Sequence, residues 1–197
     1  MASINDEFIQ DIKNAWKMKY PLDSIEYKLI HKKTNKLDVN YCNDKCTGMV
    51  DDYTPLLMTI EKYNDDPETY MKICQLLIKN KVDVNLRDNK SQSKMTPLML
   101  AIECGSDDIC KLLLDNGADI NAIDNYGYTA LMRVMNTQIL STCKLLLQYN
   151  PDLTIKDEDG NTALSLSKKY PEIHKLISES APVKKTPAKS KVSMLNK

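Results

Sequence analysis

One four-residue word recurs at a fixed step. Thr96-Pro97-Leu98-Met99 returns as Thr129-Ala130-Leu131-Met132 and as Thr162-Ala163-Leu164-Ser165, thirty-three positions on each time. Thr54-Pro55-Leu56-Leu57 lies forty-two positions upstream of Thr96. Two further markers travel with it in constant order. Asp38-Val39-Asn40, Asp83-Val84-Asn85, Asp119-Ile120-Asn121 and Asp152-Leu153-Thr154 follow one another at steps of forty-five, thirty-six and thirty-three. Cys74, Cys110 and Cys143 each stand two positions before a Leu-Leu pair. A period of this length means small units that bury a shared core only by stacking on their neighbours.

The uneven spacings reduce to insertions on a base period of thirty-three. Leu76 follows Thr54 by twenty-two positions, whereas Leu112 follows Thr96, and Leu145 follows Thr129, by sixteen. The difference puts six extra positions near Tyr63–Tyr70, between two helices. The loops at 41–53 and 86–95 are longer than the later ones by six and three positions. Surface connections accept such additions at small entropic cost.

Each unit reads as helix, turn, helix and extended loop. Thr96 suits an N-cap, because its hydroxyl can satisfy a free helix-terminal N–H. Pro97 follows at the first helical position, where no donor is needed. Leu98, Ala101 and Ile102 then share one face, as do Ile109, Leu112 and Leu113 on a second helix over about 108–116. Gly117 falls where a helix end wants a left-handed residue. Lys81 and Asn150 hold the same place in the adjacent units, and Lys81 adopts that conformation reluctantly. The third unit has Asn136-Thr137-Gln138 where a glycine turn is expected between helices. Asp124-Asn125-Tyr126-Gly127 has the composition of a tight turn.

The stretch Thr96–Tyr128, TPLMLAIECGSDDICKLLLDNGADINAIDNYGY, resembles the ankyrin repeat. The resemblance runs from Thr54 to Ile177 and, in divergent form, from about Pro21 to Tyr53. It implies an all-α fold, an ankyrin-repeat solenoid of stacked helix-turn-helix units with hairpin-like finger loops, capped at both ends. Residues 1–53 are expected to hold an N-terminal cap helix and a divergent unit with a long loop. Phe8, Ile9, Ile12, Ala15 and Trp16 form the apolar stripe of that first helix, and Trp16 is read as a capping core residue. Residues 54–179 carry units that begin near 54, 96, 129 and 162. Residues 180–197 are read as a disordered basic tail.

Composition narrows the function. The chain has 27 basic and 27 acidic residues, which argues against a whole-protein nucleic-acid binder. The balance is uneven: Ser178–Lys197 carries a net +4 and the rest −4. The tail reads as a solvated end, or as a tag for nuclear import or nucleic-acid contact. Hydrophobic residues make up 42%, too many for a disordered chain, and no apolar run is long enough to span a membrane. The start, Met1-Ala2-Ser3-Ile4-Asn5-Asp6-Glu7, does not read as a signal peptide. Only Arg87 and Arg133 are arginines among the 27 basic residues, and Asn and Ile are both abundant. Such a bias is expected of an AT-rich coding sequence such as that of some large DNA viruses or intracellular pathogens.

No catalytic motif is present in the sequence. Glycine-rich phosphate loops, HExxH and G-x-S-x-G are all missing, and the two histidines, His31 and His174, lie in opposite terminal regions. Carboxylates fall at turns, as in Asp65-Asp66, Asp107-Asp108 and Asp157-Glu158-Asp159. Cys74, Cys110 and Cys143 are read as small buried hydrophobes. Cys42 and Cys46, with His31 and Asp44 nearby, form a single pair where zinc normally draws on two, and are read as loop thiols. No metal or cofactor is expected, and six cysteines suit a reducing, cytoplasmic setting.

The resemblance implies a non-enzymatic adaptor or scaffold that binds a protein partner through a concave face of finger tips and inner helices. The finger positions that vary in the family fall on Tyr53, Asn89, Gln92, Met95, Asn125, Tyr126, Tyr128, Glu158, Asp159 and Asn161. The inner helices add Glu61, Lys62, Glu103, Asn136 and Thr137. Tyr126 and Tyr128 are either interface anchors or packing between fingers. The resemblance also covers hydroxylation of the marker asparagine: Asn85 and Asn121, with Leu77 and Leu113 eight positions earlier, match that pattern. Capped ends lead to the expectation of a monomer.

Overall fold

A computed structural model describes residues 54–87 and 92–180. The expectations for residues 1–53, the Cys42–Cys46 pair among them, and for 181–197 lie outside the described residues. The helices are α1 (Pro55–Glu61), α2 (Pro67–Lys79), α3 (Pro97–Glu103), α4 (Asp107–Asp115), α5 (Ala130–Thr137), α6 (Leu140–Gln148), α7 (Ala163–Leu166) and α8 (Pro171–Ser180). Two 3-10 turns, Tyr63–Asp65 and Ser167–Lys169, complete the regular structure among these residues. No described helix is long and apolar enough to cross a membrane.

The threonine word caps the first helix of every unit. Thr54, Thr96, Thr129 and Thr162 each accept at Oγ1 from the backbone N–H three positions on, all at 3.3 Å. Each such cap contributes about 1 kcal/mol. The helices then stack in two rows. One row runs α1–α3–α5–α7, and the other brings α4, α6 and α8 together, with each pair closed across its own turn. Helix α3 lies between α1 and α5, so Leu98, Met99, Leu100, Ala101 and Ile102 are all buried, beyond the single stripe read from spacing. Outer-row residues Ile73, Leu77, Ile109, Leu113 and Leu146 close the core against them. Thr142 stands where Ile109 stands one unit earlier; its buried hydroxyl donates to the Asp107 carboxylate.

The insertion near Tyr63–Tyr70 is only partly a connection. Helix α2 has 13 residues and α4 has 9, and both end two positions after their Leu-Leu pair. Four of the six extra positions therefore add one turn to the start of α2, and two lengthen the link, which carries the 3-10 turn. Buried Tyr63 and Tyr70 anchor the addition to the core. Burial of two aromatic rings explains why the segment is helical rather than a loose loop.

Left-handed residues recur where predicted. Gly117, Lys81 and Asn150 have φ of 88°, 64° and 52°, and Gln138 takes the inter-helix place of Gly105 at 57° and 69°. Lysine carries a Cβ into a region that disfavours it by roughly 1–2 kcal/mol. Lys81→Gly is expected to raise stability by about 0.5–1 kcal/mol after the cost of a looser unfolded chain, and Gly117→Ala to lower it by about 1 kcal/mol. Urea unfolding followed by circular dichroism checks both signs.

The four described cysteines are free, and Cys74, Cys110 and Cys143 are fully buried. Burial pushes the thiols of Cys74 and Cys110 up to about 12 and that of Cys143 to about 11, with the nearby Asp107 charge adding to the effect at Cys110. Above the ordinary value of 9.0 the unfolded chain loses these protons while the folded chain keeps them. Their contribution is therefore full below pH 9 and is lost as pH rises toward 12. Denaturation midpoints between these limits are expected to fall with pH more steeply in the wild type than in a Cys74→Ala, Cys110→Ala, Cys143→Ala variant.

Candidate partner-binding face

The two fingers at 124–128 and 157–161 are each built around a buried aspartate. Asp124 Oδ1 accepts the backbone N–H groups of Tyr126 at 2.8 Å and Tyr128 at 3.0 Å, and Gly127 N–H closes the turn on Asp124 O at 3.1 Å. Asp157, in the same place of the next finger, accepts from Asn161 N at 2.7 Å and from Asn161 Nδ2 at 3.2 Å. Gly127 is required by contact as well as by its φ of 75°: a Cβ there would sit 2.9 Å from Asp157 Cα of the next finger.

The second oxygen of Asp124 ties the finger to the helices. Arg133, on α5, donates to Asp124 Oδ2 through Nε at 2.8 Å and also through Nη2. Its Nη1 reaches Glu103 Oε1, at the end of α3, at 3.3 Å. Asn136 Nδ2 donates to that same oxygen at 2.8 Å, and the guanidinium lies 5.4 Å from the centre of the Tyr128 ring. The Asp124 side chain is 0% exposed and that of Arg133 only 11%. Two units and a finger are thus joined by one desolvated cation, a setting in which geometry and complete pairing decide whether the group stabilises.

A second tie repeats between units. Asp83 Oδ1 accepts Asn85 N–H at 2.9 Å, and Asn85 Oδ1 accepts Asp119 N–H of the next unit at 2.7 Å. Asp119 Oδ1 accepts Asn121 N–H at 2.9 Å, and Asn121 Oδ1 accepts Asp152 N–H at 2.8 Å. At the last step Thr154 replaces asparagine and turns its hydroxyl back to Asp152 Oδ1 at 2.6 Å. Bonds from the Thr154 hydroxyl and N–H hold the Asp152 carboxyl below its ordinary range.

These observations agree with a comparison against known families. Residues 23–124, just over half of the chain, match the family described as ankyrin repeats, three copies. The chain belongs to the ankyrin repeat family. It is an all-helical ankyrin solenoid with a protein–protein interaction module's architecture. The family match stops at Asp124, yet the same caps, ties and helix pairs continue to Ser180. No curated protein matches the chain.

The ankyrin frame sorts the residues read from sequence into three environments. Glu103, Tyr128 and Asn136 meet around Arg133, and Asn161 is held by Asp157. Asn125 is exposed but committed, its Nδ2 donating to Gln92 O at 2.8 Å. Met95 packs on the core, Thr137 is half-buried with its hydroxyl 3.4 Å from Val134 O, and Lys62 lies 3.8 Å from Asp65. Tyr126, Glu61, Gln92, Glu158 and Asp159 present exposed side chains. Tyr53 and Asn89 lie outside the described residues. The sequence reading placed Asp124 in a tight turn but missed its pairing with Arg133. The signal was an arginine inside an otherwise apolar word, Leu131-Met132-Arg133-Val134, in a chain with only two.

Arg133→Met leaves Asp124 buried and unpaired, and is expected to cost about 3 kcal/mol. Asp124→Asn keeps the two finger bonds without the charge, so adding it to Arg133→Met is expected to recover much of that loss. A double-mutant cycle by urea unfolding reads the difference directly.

Proposed function

We propose that this ankyrin array is a non-enzymatic adaptor that binds a partner protein through the concave face of finger tips and inner helices. The observation that carries the reading is Tyr126. It is 43% exposed at the tip of a finger whose backbone is fixed by Asp124 and Arg133. A rigid finger lowers the entropy cost of binding, and tyrosine offers broad contact with few torsions to freeze. Ile123, also 43% exposed, extends the apolar surface of the same finger. Glu61, Gln92, Glu158 and Asp159 are accessible polar residues around it. Tyr128 and Glu103 contact Arg133, and Asn136 holds the Glu103 carboxylate in place.

The free cysteines suit a reducing compartment, and we assign the module to the cytoplasm as a monomer. The lysine-, asparagine- and isoleucine-rich composition supports a viral or intracellular-pathogen protein directed at host machinery. No feature of the described residues favours the nuclear alternative over this one.

Affinity purification with the full chain, followed by mass spectrometry, supplies a partner for direct titration. Tyr126→Ala is expected to weaken that complex by about 2 kcal/mol, roughly 30-fold, and Tyr128→Phe to leave it unchanged. Wild-type affinity in a folded Tyr126→Ala, Glu61→Lys variant would place binding elsewhere.

A further inference from the structure

The turns that join inner to outer helices meet their neighbours closely at two junctions and leave a groove at the third. Asn64 Nδ2, in the first turn, donates to Cys104 O, in the second, at 2.8 Å. Ile139, in the third turn, packs back onto the second: its Cδ1 lies 3.1 Å from where a Cβ on Gly105 would sit. Beside it Thr142 donates to Asp107. Thirty-three positions on, none of these side chains recurs. Gly105 becomes Gln138, Asp107 becomes Leu140, Ile139 becomes Glu172 and Thr142 becomes Lys175. A carboxylate does not settle in an apolar seat, and Glu172 is exposed. Between the third and fourth units the seat is a groove of about 330 Å³. Half-buried Leu140 and Tyr170 and buried Ile173 give it an apolar lining, while Gln138, Lys169 and Glu172 line it from the exposed side. Its surroundings are basic. Lys144 stands one turn beyond Leu140 on α6, and Lys168 precedes Lys169. These three lysines are exposed and form no ion pair among the described residues, and Glu172 is the one carboxylate that lines the groove.

We infer that this groove docks an acidic segment of a partner protein, with an isoleucine- or leucine-sized side chain in the seat and carboxylates on Lys144 and Lys169. The molecule itself shows what the seat accepts, because one junction earlier the same place is filled by the aliphatic side chain of Ile139. Leu140, Tyr170 and Ile173 offer such a side chain burial, which is the non-directional part of the attraction. Charge complementarity selects the flanks, since three unpaired lysines attract carboxylates and disfavour a basic segment. The earlier turns carry the opposite charge, with Asp65, Asp66, Asp107 and Asp108, so an acidic segment is steered to this junction rather than to those. The groove lies at the far end of α5 from the finger at 124–128. The inference therefore adds a second surface and does not rest on the Tyr126 reading.

Titration of the full chain with the capped pentapeptide Glu-Glu-Ile-Glu-Glu, followed by methyl NMR, tests it. Saturable shifts are expected at the Leu140 and Ile173 methyls, with binding about tenfold weaker when the peptide's isoleucine is replaced by alanine. Lys144→Glu combined with Lys169→Glu is expected to weaken binding about fivefold. Glu172→Ile separates the groove from plain charge attraction. It removes a negative charge, which by itself favours the acidic peptide, but refills the seat as Ile139 does one junction earlier. Binding is expected to weaken about tenfold while the melting temperature holds or rises. Glu172→Gln removes the same charge and leaves the seat open, and is expected to tighten binding about twofold. Unchanged or tighter binding by a folded Glu172→Ile variant, or equal binding of the alanine peptide, overturns the inference. So do shifts that saturate at Tyr126 instead, or no saturable shift up to about 10 mM peptide.

Discussion

No unit of this molecule can cover its own apolar face. Leu98, Met99 and Ile102 of α3 are buried because α1 and α5 lie on either side, and Leu131, Met132 and Val134 of α5 are buried in the same way between α3 and α7. The constraint is one of spacing: neighbouring units must meet at a constant offset or the core opens. The threonine caps fix where each inner helix begins. The asparagine ties from Asn85 to Asp119 and from Asn121 to Asp152 fix how far one unit stands from the next. Polar groups set the ruler, and hydrophobic burial supplies the stabilisation along it.

The cluster around Arg133 meets a different requirement. A finger that projects from a helical stack has little core of its own. Asp124 solves the problem twice over, with one oxygen organising the turn and the other reaching back to the helices. The arrangement places Tyr126 on a stiff support while Tyr128 fills the space under it. Adjacent tyrosines that look equivalent in the sequence therefore have different roles, one outward and one inward.

Much of this was legible in the sequence, because a repeat reports each position several times. Thr54, Thr96, Thr129 and Thr162 announced their caps, and Lys81, Gly117 and Asn150 shared a slot whose backbone conformation could be read from its glycine. What appears once was harder. The extra turn of α2 depends on Tyr63 and Tyr70 finding room in the core, which spacing alone does not reveal. The role of Arg133 depends on Glu103 of the preceding unit and on the finger before its own helix, so its meaning lies in proximity that the linear pattern does not carry. The same holds for Thr142, whose partner Asp107 sits on the neighbouring outer helix.

The two ends of the described array differ in mechanical character. The first unit has the long α2 and two buried tyrosines, whereas the last inner helix, α7, is a single turn that passes at once into a 3-10 turn. In a one-dimensional stack, local opening begins where the nearest-neighbour interface is thinnest and travels inward. Among the described units, the α7–α8 pair therefore has the thinnest inner-row interface, and local opening within them is expected to begin there rather than at α1–α2.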